Sequence, residues 1–267
     1  MSEAVYREIV AGWKAEHRAL FAFEQLDYRE VTGSTNDDLL EKLRGGSADH
    51  FHLVVADSQT KGRGRRGDHW EGGRGCNLLF SLSLELGPNR DQWSRLPHVA
   101  AYVVGSAVES IFPPGDRIEA KWPNDLLCNG RKMAGILVET TLSPKPYAVI
   151  GIGLNVNLRL DDLPSELRQT STSLYEVLGC ESNRWFVLGL ILQGFLEIYP
   201  NIPTSFDDVL DWIAPRDFLR GKHVRVITAK ENVEGVATGI GRGGELLLHD
   251  SDEQTHRIIS SEKIEVC

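Results

Sequence analysis

The end of the chain, from Gly221 onward, contains five short β-strand patterns separated by turns, several of them rich in glycine. The patterns cover residues 223–228, 233–240, 245–249, 257–260 and 263–266. Short strands in an open sheet leave edges exposed, and closing them into a small barrel removes those edges. Because the character of the sequence changes near Pro215, we predict a separate C-terminal β-barrel over residues 218–267.

Helix and strand patterns both occur before this boundary. An amphipathic helix is predicted over residues 3–24, where Val5, Ile9, Trp13 and Leu20 share one side. Strand patterns follow at 28–31, 52–56, 77–86, 118–122, 126–128, 132–141 and 147–157, and helix patterns at 37–44, 92–112, 173–178, 183–199 and 205–213. We therefore predict an α+β chain with an N-terminal helical extension over 1–25, a main domain over 26–217 and the C-terminal domain.

Composition excludes several classes of protein. The 267 residues are 41% hydrophobic, enough for a full core, and carry a net charge of −9, which argues against a general nucleic-acid coat or a basic membrane-surface binder. The N-terminus has no apolar signal region, and the longest apolar run, Trp185 to Leu192, is far shorter than the roughly 20 residues of a membrane span. Four scattered cysteines predict neither a disulfide scaffold nor a zinc site. We expect a reduced, cytoplasmic protein, and we expect the near pair His50 and His52 to be exposed.

A segment dense in glycine and arginine, residues 57–67 (DSQTKGRGRRG), marks one candidate site. Its glycines permit positive φ angles, so successive backbone N–H groups can face an anion. Its arginines can bind a carboxylate or a phosphate with two hydrogen bonds. The alternatives are a solvated basic loop and an RNA-binding patch, and the acidic balance of the chain argues against the patch. A Walker phosphate loop is excluded because its glycine-lysine pattern is absent.

Two further segments carry polar residues next to strand patterns. Lys121–Asp125 (KWPND) precedes a hairpin at Asn129-Gly130, which typifies a type I′ turn and would carry Lys121 and Lys132 on adjacent strands. The strand over 149–157 (VIGIGLNVN) has glycines at alternate positions, so one face is bare and accepts a flat group or another strand. Ordinary alternatives remain for both: a hairpin with solvated charges, and tight strand packing. Similarly, Ser34-Thr35-Asn36 either caps a helix or binds a neutral polar ligand.

Taken together, these segments resemble the biotin–protein ligase family. The resemblance rests on Ser34-Thr35-Asn36, Gln59, 62–67 (GRGRRG), 121–125 (KWPND), 131–137 (RKMAGIL) and 151–157 (GIGLNVN), and covers residues 28–266. It implies a mixed β-sheet flanked by helices, of the class II synthetase type, followed by an SH3-like barrel. It also implies a ligase that uses biotin, ATP and Mg²⁺ to make biotinyl-5′-AMP, and then transfers biotin to a lysine of a biotin carboxyl carrier protein or domain.

The resemblance also implies roles for individual residues. The neutral ureido ring of biotin would meet Ser34, Thr35, Asn36 and Gln59, which can donate and accept hydrogen bonds. Gly135 and Gly153 would flank the apolar part of biotin, and Arg63 and Gly64 would shape the loop over biotin and the phosphate. The expected biotin-binding set is Ser34, Thr35, Asn36, Gln59, Arg63, Gly64, Arg65, Lys132, Gly135 and Gly153.

The catalytic and nucleotide roles follow in the same way. Arg65 and Lys132 would screen the charge that grows on the transferring phosphoryl group, and Asp125 would orient the incoming lysine. The expected ATP-binding set is Arg63, Arg65, Arg66, Trp70, Asn124, Lys132 and Asn155, with Trp70 and Asn155 near the adenosine. The resemblance does not identify metal ligands.

Departures from the family pattern leave alternatives open. Asp68 stands where a basic residue often follows the glycine-arginine run, and residues 159–172 contain no aromatic residue to close over adenine. A lipoate ligase or octanoyl transferase, and a biotin sensor without catalysis, are the alternative functions. Only 33 residues precede Ser34, fewer than a winged-helix domain needs, so we expect a monofunctional ligase without DNA or membrane binding, as a monomer or homodimer.

Overall fold

The computed structural model describes residues 26–67, 70, 73–142, 145–201 and 206–267, without the side chains of Arg66, Asp91 and Asn201. The helix expected over residues 3–24 lies outside the described part of the chain. Within that part, no helix is long and apolar enough to cross a membrane.

A seven-stranded sheet forms the centre of the larger unit, in the order β1-β2-β3-β7-β6-β5-β4. Only β1 and β2 pair in parallel, and every other neighbouring pair is antiparallel, so the sheet is mixed as expected. The strands are β1 (Leu26–Arg29), β2 (Leu53–Ala56), β3 (Leu78–Glu85), β4 (Ile118–Lys121), β5 (Asp125–Cys128), β6 (Arg131–Thr141) and β7 (Tyr147–Leu154).

Helices cover the two faces of this sheet unequally. One face carries α1, whose Leu39, Leu40 and Leu43 pack against Val54 and Val149. The other face carries the large core, to which α2, α5 and α6 contribute. The helices are α1 (Thr35–Arg44), α2 (Leu96–Glu109), α3 (Ser165–Arg168), α4 (Leu174–Leu178), α5 (Arg184–Ile198) and α6 (Phe206–Ile213).

The alternation of β7 shows how the sequence sets these two faces. Its residues Ala148, Ile150 and Ile152 lie in the large core, while Tyr147 and Val149 lie under α1. Because successive side chains of a strand point to opposite faces, Gly151 and Gly153 continue the α1 face. Beyond the N-terminal end of α1, this face of β7 therefore carries glycines, which have no side chains.

The C-terminal unit is a second, antiparallel sheet in the order β11-β10-β9-β8-β12. Its strands are β8 (His223–Ile227), β9 (Asn232–Ile240), β10 (Leu246–His249), β11 (Thr255–Ile258) and β12 (Lys263–Val266), close to the five expected patterns. Among the described residues no ladder joins β11 to β12, so the sheet is open in its hydrogen bonding and closure of the barrel stays a prediction.

Three local predictions require correction. The helix predicted over 92–112 begins as a 3₁₀ turn over Arg90–Arg95, and α2 starts only at Leu96, where Pro97 fits the first helical turn. Lys121 and Lys132 lie on β4 and β6, with β5 between them, and not on adjacent strands. His52 is buried rather than exposed, because its Nε2 lies 2.9 Å from Asp27 Oδ2.

Candidate functional site

A cavity of about 130 Å³ opens on the α1 face of the sheet, where β6 and β7 run past the start of α1. It is lined by Ser34, Thr35, Asn36, Gln59, Arg63, Gly64, Arg65, Trp70, Asn124, Asp125, Lys132, Gly135, Ile136, Leu137, Gly151, Ile152 and Gly153. All but two of the residues expected in the site line this one cavity. The two others are Arg66, whose side chain is outside the described structure, and Asn155.

A flat glycine surface forms the floor of the cavity. Gly135 on β6 lies directly opposite Gly153 on β7. The indole of Trp70 lies over both glycines: a Cβ at Gly153 would be 2.5 Å from the ring, and one at Gly135 would be 2.9 Å from it. The bare strand face predicted from the sequence therefore does accept a flat group, and in this structure that group is Trp70.

The start of α1 supplies the polar wall. Ser34 makes no side-chain capping hydrogen bond, although it stands at the N-cap position, and it is buried in the cavity wall. The N–H and the hydroxyl of Thr35 both donate to Gln59 Oε1, at 2.7 and 3.1 Å. The carbonyl oxygen of Gln59 is thus occupied, which leaves its amide nitrogen as the polar group for a ligand.

Asn36 is fixed by residues that the sequence analysis missed. Its Nδ2 donates to Glu139 Oε2 at 2.8 Å, and Ser81 Oγ lies 2.6 Å from its Oδ1. A Cβ at Gly151 would overlap that Oδ1, so the glycine makes room for the asparagine. Ser81 and Glu139 look like ordinary strand residues, and no local pattern identifies them.

The glycine-arginine segment is held over this wall. Arg63 Nη2 donates to Asp37 Oδ1 at 2.5 Å and to Glu139 Oε2 at 3.1 Å. The backbone N–H of Lys61 donates to the carbonyl of Gly33, which joins the segment to the start of α1. Arg65 lines the cavity beside Gly64. The segment therefore carries the side chains of Arg63 and Arg65 at the cavity. Arg63 is paired with Asp37 and Glu139.

A buried ion pair fixes both ends of the connection that contains this segment. Arg184 Nη2 lies 3.2 Å from Asp57 Oδ1, and its Nη1 donates to the carbonyl of Asn77 at 2.8 Å. The hydroxyl of Tyr28 donates to Asp57 Oδ2, and burial together with this bond raises the pKa of Tyr28 above its ordinary value. Asp57 is the first residue of the segment and Asn77 stands just before β3, so one arginine holds together the two ends of the connection from β2 to β3.

Lys132 provides the cation on the sheet side. Its Nζ lies 2.7 Å from Asp125 Oδ1 and 5.5 Å from the centre of the Trp70 ring. The hairpin between β5 and β6 places the two residues together, with φ of 53° at Asn129 and 71° at Gly130. These angles match the predicted type I′ turn. The lysine and aspartate are thus one unit, and their side chains are 39% and 25% exposed.

Asn124 and Asn155 occupy different positions. Asn124 lines the cavity, and its Nδ2 donates to the carbonyl of Ile136 at 2.7 Å. Asn155 is buried, and its Nδ2 donates to the carbonyl of Thr172, while its Oδ1 has no partner among the described residues. The nucleotide role expected for Asn155 therefore stays a prediction.

The chain is similar to known proteins along most of its length. The profile of the biotin/lipoate A/B protein ligase family matches residues 28–157, and that of the biotin protein ligase C-terminal domain matches residues 220–262. A bifunctional ligase/repressor of Bacillus spizizenii is 34% identical over 90% of this chain and 73% of the relative. A biotin–[acetyl-CoA-carboxylase] ligase of Mycobacterium tuberculosis is 30% identical over 85% of this chain and 84% of the relative.

The chain belongs to the biotin protein ligase family. A solved biotin protein ligase from Aquifex aeolicus, in complex with biotin and ATP, superposes with a TM-score of 0.76 at 29% identity, over 92% of this chain and 100% of that one. The family and the fold expected from the sequence are thereby confirmed. The roles of individual residues stay predictions, because these likenesses concern whole chains.

The family resemblance implies Mg²⁺ but does not identify its ligands. Among the described ranges, no group of three or more His, Cys, Asp or Glu side chains is arranged to hold a metal ion. Magnesium commonly binds proteins through one or two carboxylates together with substrate phosphates. Binding of Mg²⁺ together with ATP therefore stays a prediction.

Proposed function

We propose that this biotin protein ligase family member activates biotin with MgATP to biotinyl-5′-AMP and then transfers biotin to a lysine of a carrier domain. One observation carries the proposal: a single cavity joins a flat apolar floor, a polar wall and the Lys132–Asp125 pair. Biotin has the same three parts in the same kind of arrangement, namely a neutral polar ring, an apolar body and a carboxylate.

The first step brings two anions together. An oxygen of the biotin carboxylate attacks the α-phosphorus of ATP, the mixed anhydride forms and pyrophosphate leaves. Lys132 and Arg65 offset the repulsion between carboxylate and phosphate, and stabilise the negative charge that develops on the phosphoryl oxygens. Arg63 lines the cavity and is paired with Asp37 and Glu139, and it exchanges these acids for the incoming anion.

The polar wall selects the ring of biotin. A buried site that hydrogen-bonds a polar group rejects analogues that lack it, because its own groups would be left unpaired. Gln59 Nε2 and Ser34 face the ureido ring, and Asn36 is held in one orientation beside them. The apolar body of biotin lies on Gly135 and Gly153, where Trp70 lies in this structure, so Trp70 shifts to cover the ligand.

The second step uses Asp125. When the ammonium of Lys132 turns to the phosphate, the carboxylate of Asp125 becomes available to the amine of the acceptor lysine. The amine nitrogen attacks the carbonyl carbon of the anhydride, an amide forms, AMP leaves and one proton is released. The partner is a carrier domain of a biotin-dependent carboxylase, the class of acceptor on which the family acts.

Mass spectrometry of the first step tests the proposal. Purified protein is incubated with biotin, ATP and Mg²⁺ without a carrier, and a parallel reaction contains lipoate. We expect biotinyl-5′-AMP in the first reaction and no adenylate in the second. Adenylate from lipoate alone would assign the chain to lipoate chemistry, and biotin binding without adenylate would make it a sensor.

A further inference from the structure

Trp122 belongs to the active-site motif in sequence but to the C-terminal unit in space. Its indole is 4% exposed and packs in the core of the C-terminal sheet, with Leu219, Val224, Val226, Val233, Ala237, Leu246, Leu248 and Ile258. Trp122 is the one residue of this cluster that comes from before residue 218. Two residues later the chain lines the catalytic cavity with Asn124 and Asp125.

A hydrogen bond fixes the indole at a single carbonyl of the C-terminal unit. Trp122 Nε1 donates to the carbonyl of Gly244 at 2.9 Å, and His98 Nε2 lies 2.9 Å from the same oxygen. Gly244 has φ of +84°, and a Cβ there would be 2.8 Å from the carbonyl oxygen of Ser94 and 2.9 Å from the His98 ring. The turn at Gly244 is therefore pressed against the residues that begin α2.

The other end of the motif is bonded to the strand that carries the catalytic lysine. Asn124 exchanges two hydrogen bonds with Ile136: its Nδ2 donates to the Ile136 carbonyl at 2.7 Å, and the Ile136 N–H donates to its carbonyl at 2.9 Å. Asp125 pairs with Lys132. Only Pro123 separates the anchored indole from these contacts, so a shift of Trp122 is transmitted to the Asp125–Lys132 pair.

We propose that Trp122 is a positioning residue for the formation of the adenylate, and that the C-terminal sheet serves this first step by anchoring it through Gly244. The inference rests on the proposed function. It assigns the C-terminal unit a task within the chemistry at Lys132, separate from any contact with the carrier. Trp122 is not among the residues that line the catalytic cavity, and its effect is assigned to its chain neighbours Asn124 and Asp125.

Two variants weaken the anchor from opposite sides. Trp122→Phe keeps an aromatic ring in the core and removes the donor, and Gly244→Ala displaces the acceptor. Trp93→Phe is the matched control, since it also removes an indole N–H bonded to a carbonyl, that of Gly87, without a bond to Asn124 or Asp125. Circular dichroism and the melting temperature of each variant establish that it is folded.

Kinetics of the first step separate positioning from binding. We expect both anchor variants to lower kcat for biotinyl-5′-AMP formation by about tenfold to a hundredfold, since a misplacement on the order of 1 Å has effects of that size. The Kd for biotin alone is expected to stay within about twofold, because the polar wall is built from other elements. Folded anchor variants with the kcat of Trp93→Phe would overturn the proposal.

Two further measurements identify the residues through which Trp122 affects the first step. If Trp122 acts through Asp125, then Trp122→Phe combined with Asp125→Asn is no slower than Asp125→Asn alone; additive losses would contradict this. Hydrogen exchange needs no activity: the Ile136 amide is expected to exchange faster in Trp122→Phe than in Trp93→Phe, and equal rates would overturn the proposal. If the wild-type protein formed no biotinyl-5′-AMP but the Ile136 amide still exchanged faster in Trp122→Phe, the result would contradict the proposed function and not the anchoring of Asn124 by Trp122.

Discussion

Lys132 and Asp125 face each other across the hairpin between β5 and β6, with Nζ and Oδ1 2.7 Å apart at the edge of the glycine floor. Both residues are partly exposed, so the pair contributes little to stability. Its arrangement is instead suited to exchange, because each partner can leave the other for a substrate group.

Replacing Lys132 tests the role assigned to its positive charge in adenylate formation. We expect Lys132→Ala to slow adenylate formation by about a hundredfold to a thousandfold, as for the loss of one group that stabilises a developing oxyanion. Stopped-flow or quenched measurement of pyrophosphate release gives the rate. Lys145→Ala removes an exposed lysine at the far end of β6 and β7 and serves as the control. An unchanged rate in Lys132→Ala would refute the role of Lys132.

Gly151→Ala tests the position of Asn36. The added methyl group overlaps Asn36 Oδ1, which Ser81 and Glu139 hold in place, so the asparagine is displaced from the wall. We expect the Kd for biotin to rise at least about tenfold, equivalent to roughly 1.4 kcal/mol, as measured by calorimetry. Gly87→Ala, where a Cβ meets nothing within 4 Å, is the control. Wild-type affinity in a folded Gly151→Ala protein would place the biotin ring elsewhere.

His98 makes stability depend on pH. Burial lowers the pKa of His98, against the opposing effects of its bond to Gly244 and of nearby Glu245. The unfolded chain therefore takes up a proton below about pH 6.5 that the folded protein does not bind, and the free energy of unfolding falls as the pH falls through that value. The stability is fully present above about pH 6.5.

Removing this titration flattens the pH dependence. In His98→Gln the slope of the unfolding free energy between about pH 5 and pH 6.5 is expected to decrease by up to about 1.4 kcal/mol per pH unit. Urea unfolding across this range measures it. The same substitution at the exposed His223 is the control, and equal slopes in wild type and His98→Gln would show that His98 does not titrate differently in the two states.

Arg184 is expected to dominate the stability of the loop ends. Arg184→Met leaves the buried carboxylate of Asp57 without its cation, so the free energy of unfolding should fall by about 3–5 kcal/mol in denaturant titrations. Arg225→Ala breaks an ion pair with Glu234 that is about half exposed. This variant is expected to change the free energy of unfolding by less than about 1 kcal/mol. Similar losses in the two variants would mean that Arg184 is not a structural anchor.

The sequence was informative where a single segment determines its own geometry. Asn129-Gly130 predicts its turn because both residues tolerate positive φ, and the alternate glycines of 151–153 predict a bare face because strands have a period of two. The site residues could be assembled only through the family resemblance. Nothing local to Ser34, Gln59 and Lys132 says that they share one cavity.

Long-range packing accounts for what the sequence did not predict. Glu139 reaches Asn36 across a sequence separation of 103 residues, and Trp122 reaches Gly244 across 122. The first contact depends on the strand order of the main sheet and the second on the packing of the C-terminal unit against it, and no periodicity specifies either. Likewise, Asn155 looks like a residue that projects from the end of a strand, yet it is buried, because the segment around Thr172 covers it.

By contacting both Asp57 and Asn77, Arg184 makes the attachment of the loop to the sheet separate from the contacts within the loop. The Gly75 amide donates to the Asp57 carbonyl at 2.9 Å, so the excursion leaves and rejoins the body at one place. The register of β2 against β3 is therefore fixed outside the loop, by residues that do not line the cavity. Selectivity for the acid to be activated can therefore diversify while the sheet beneath it stays the same.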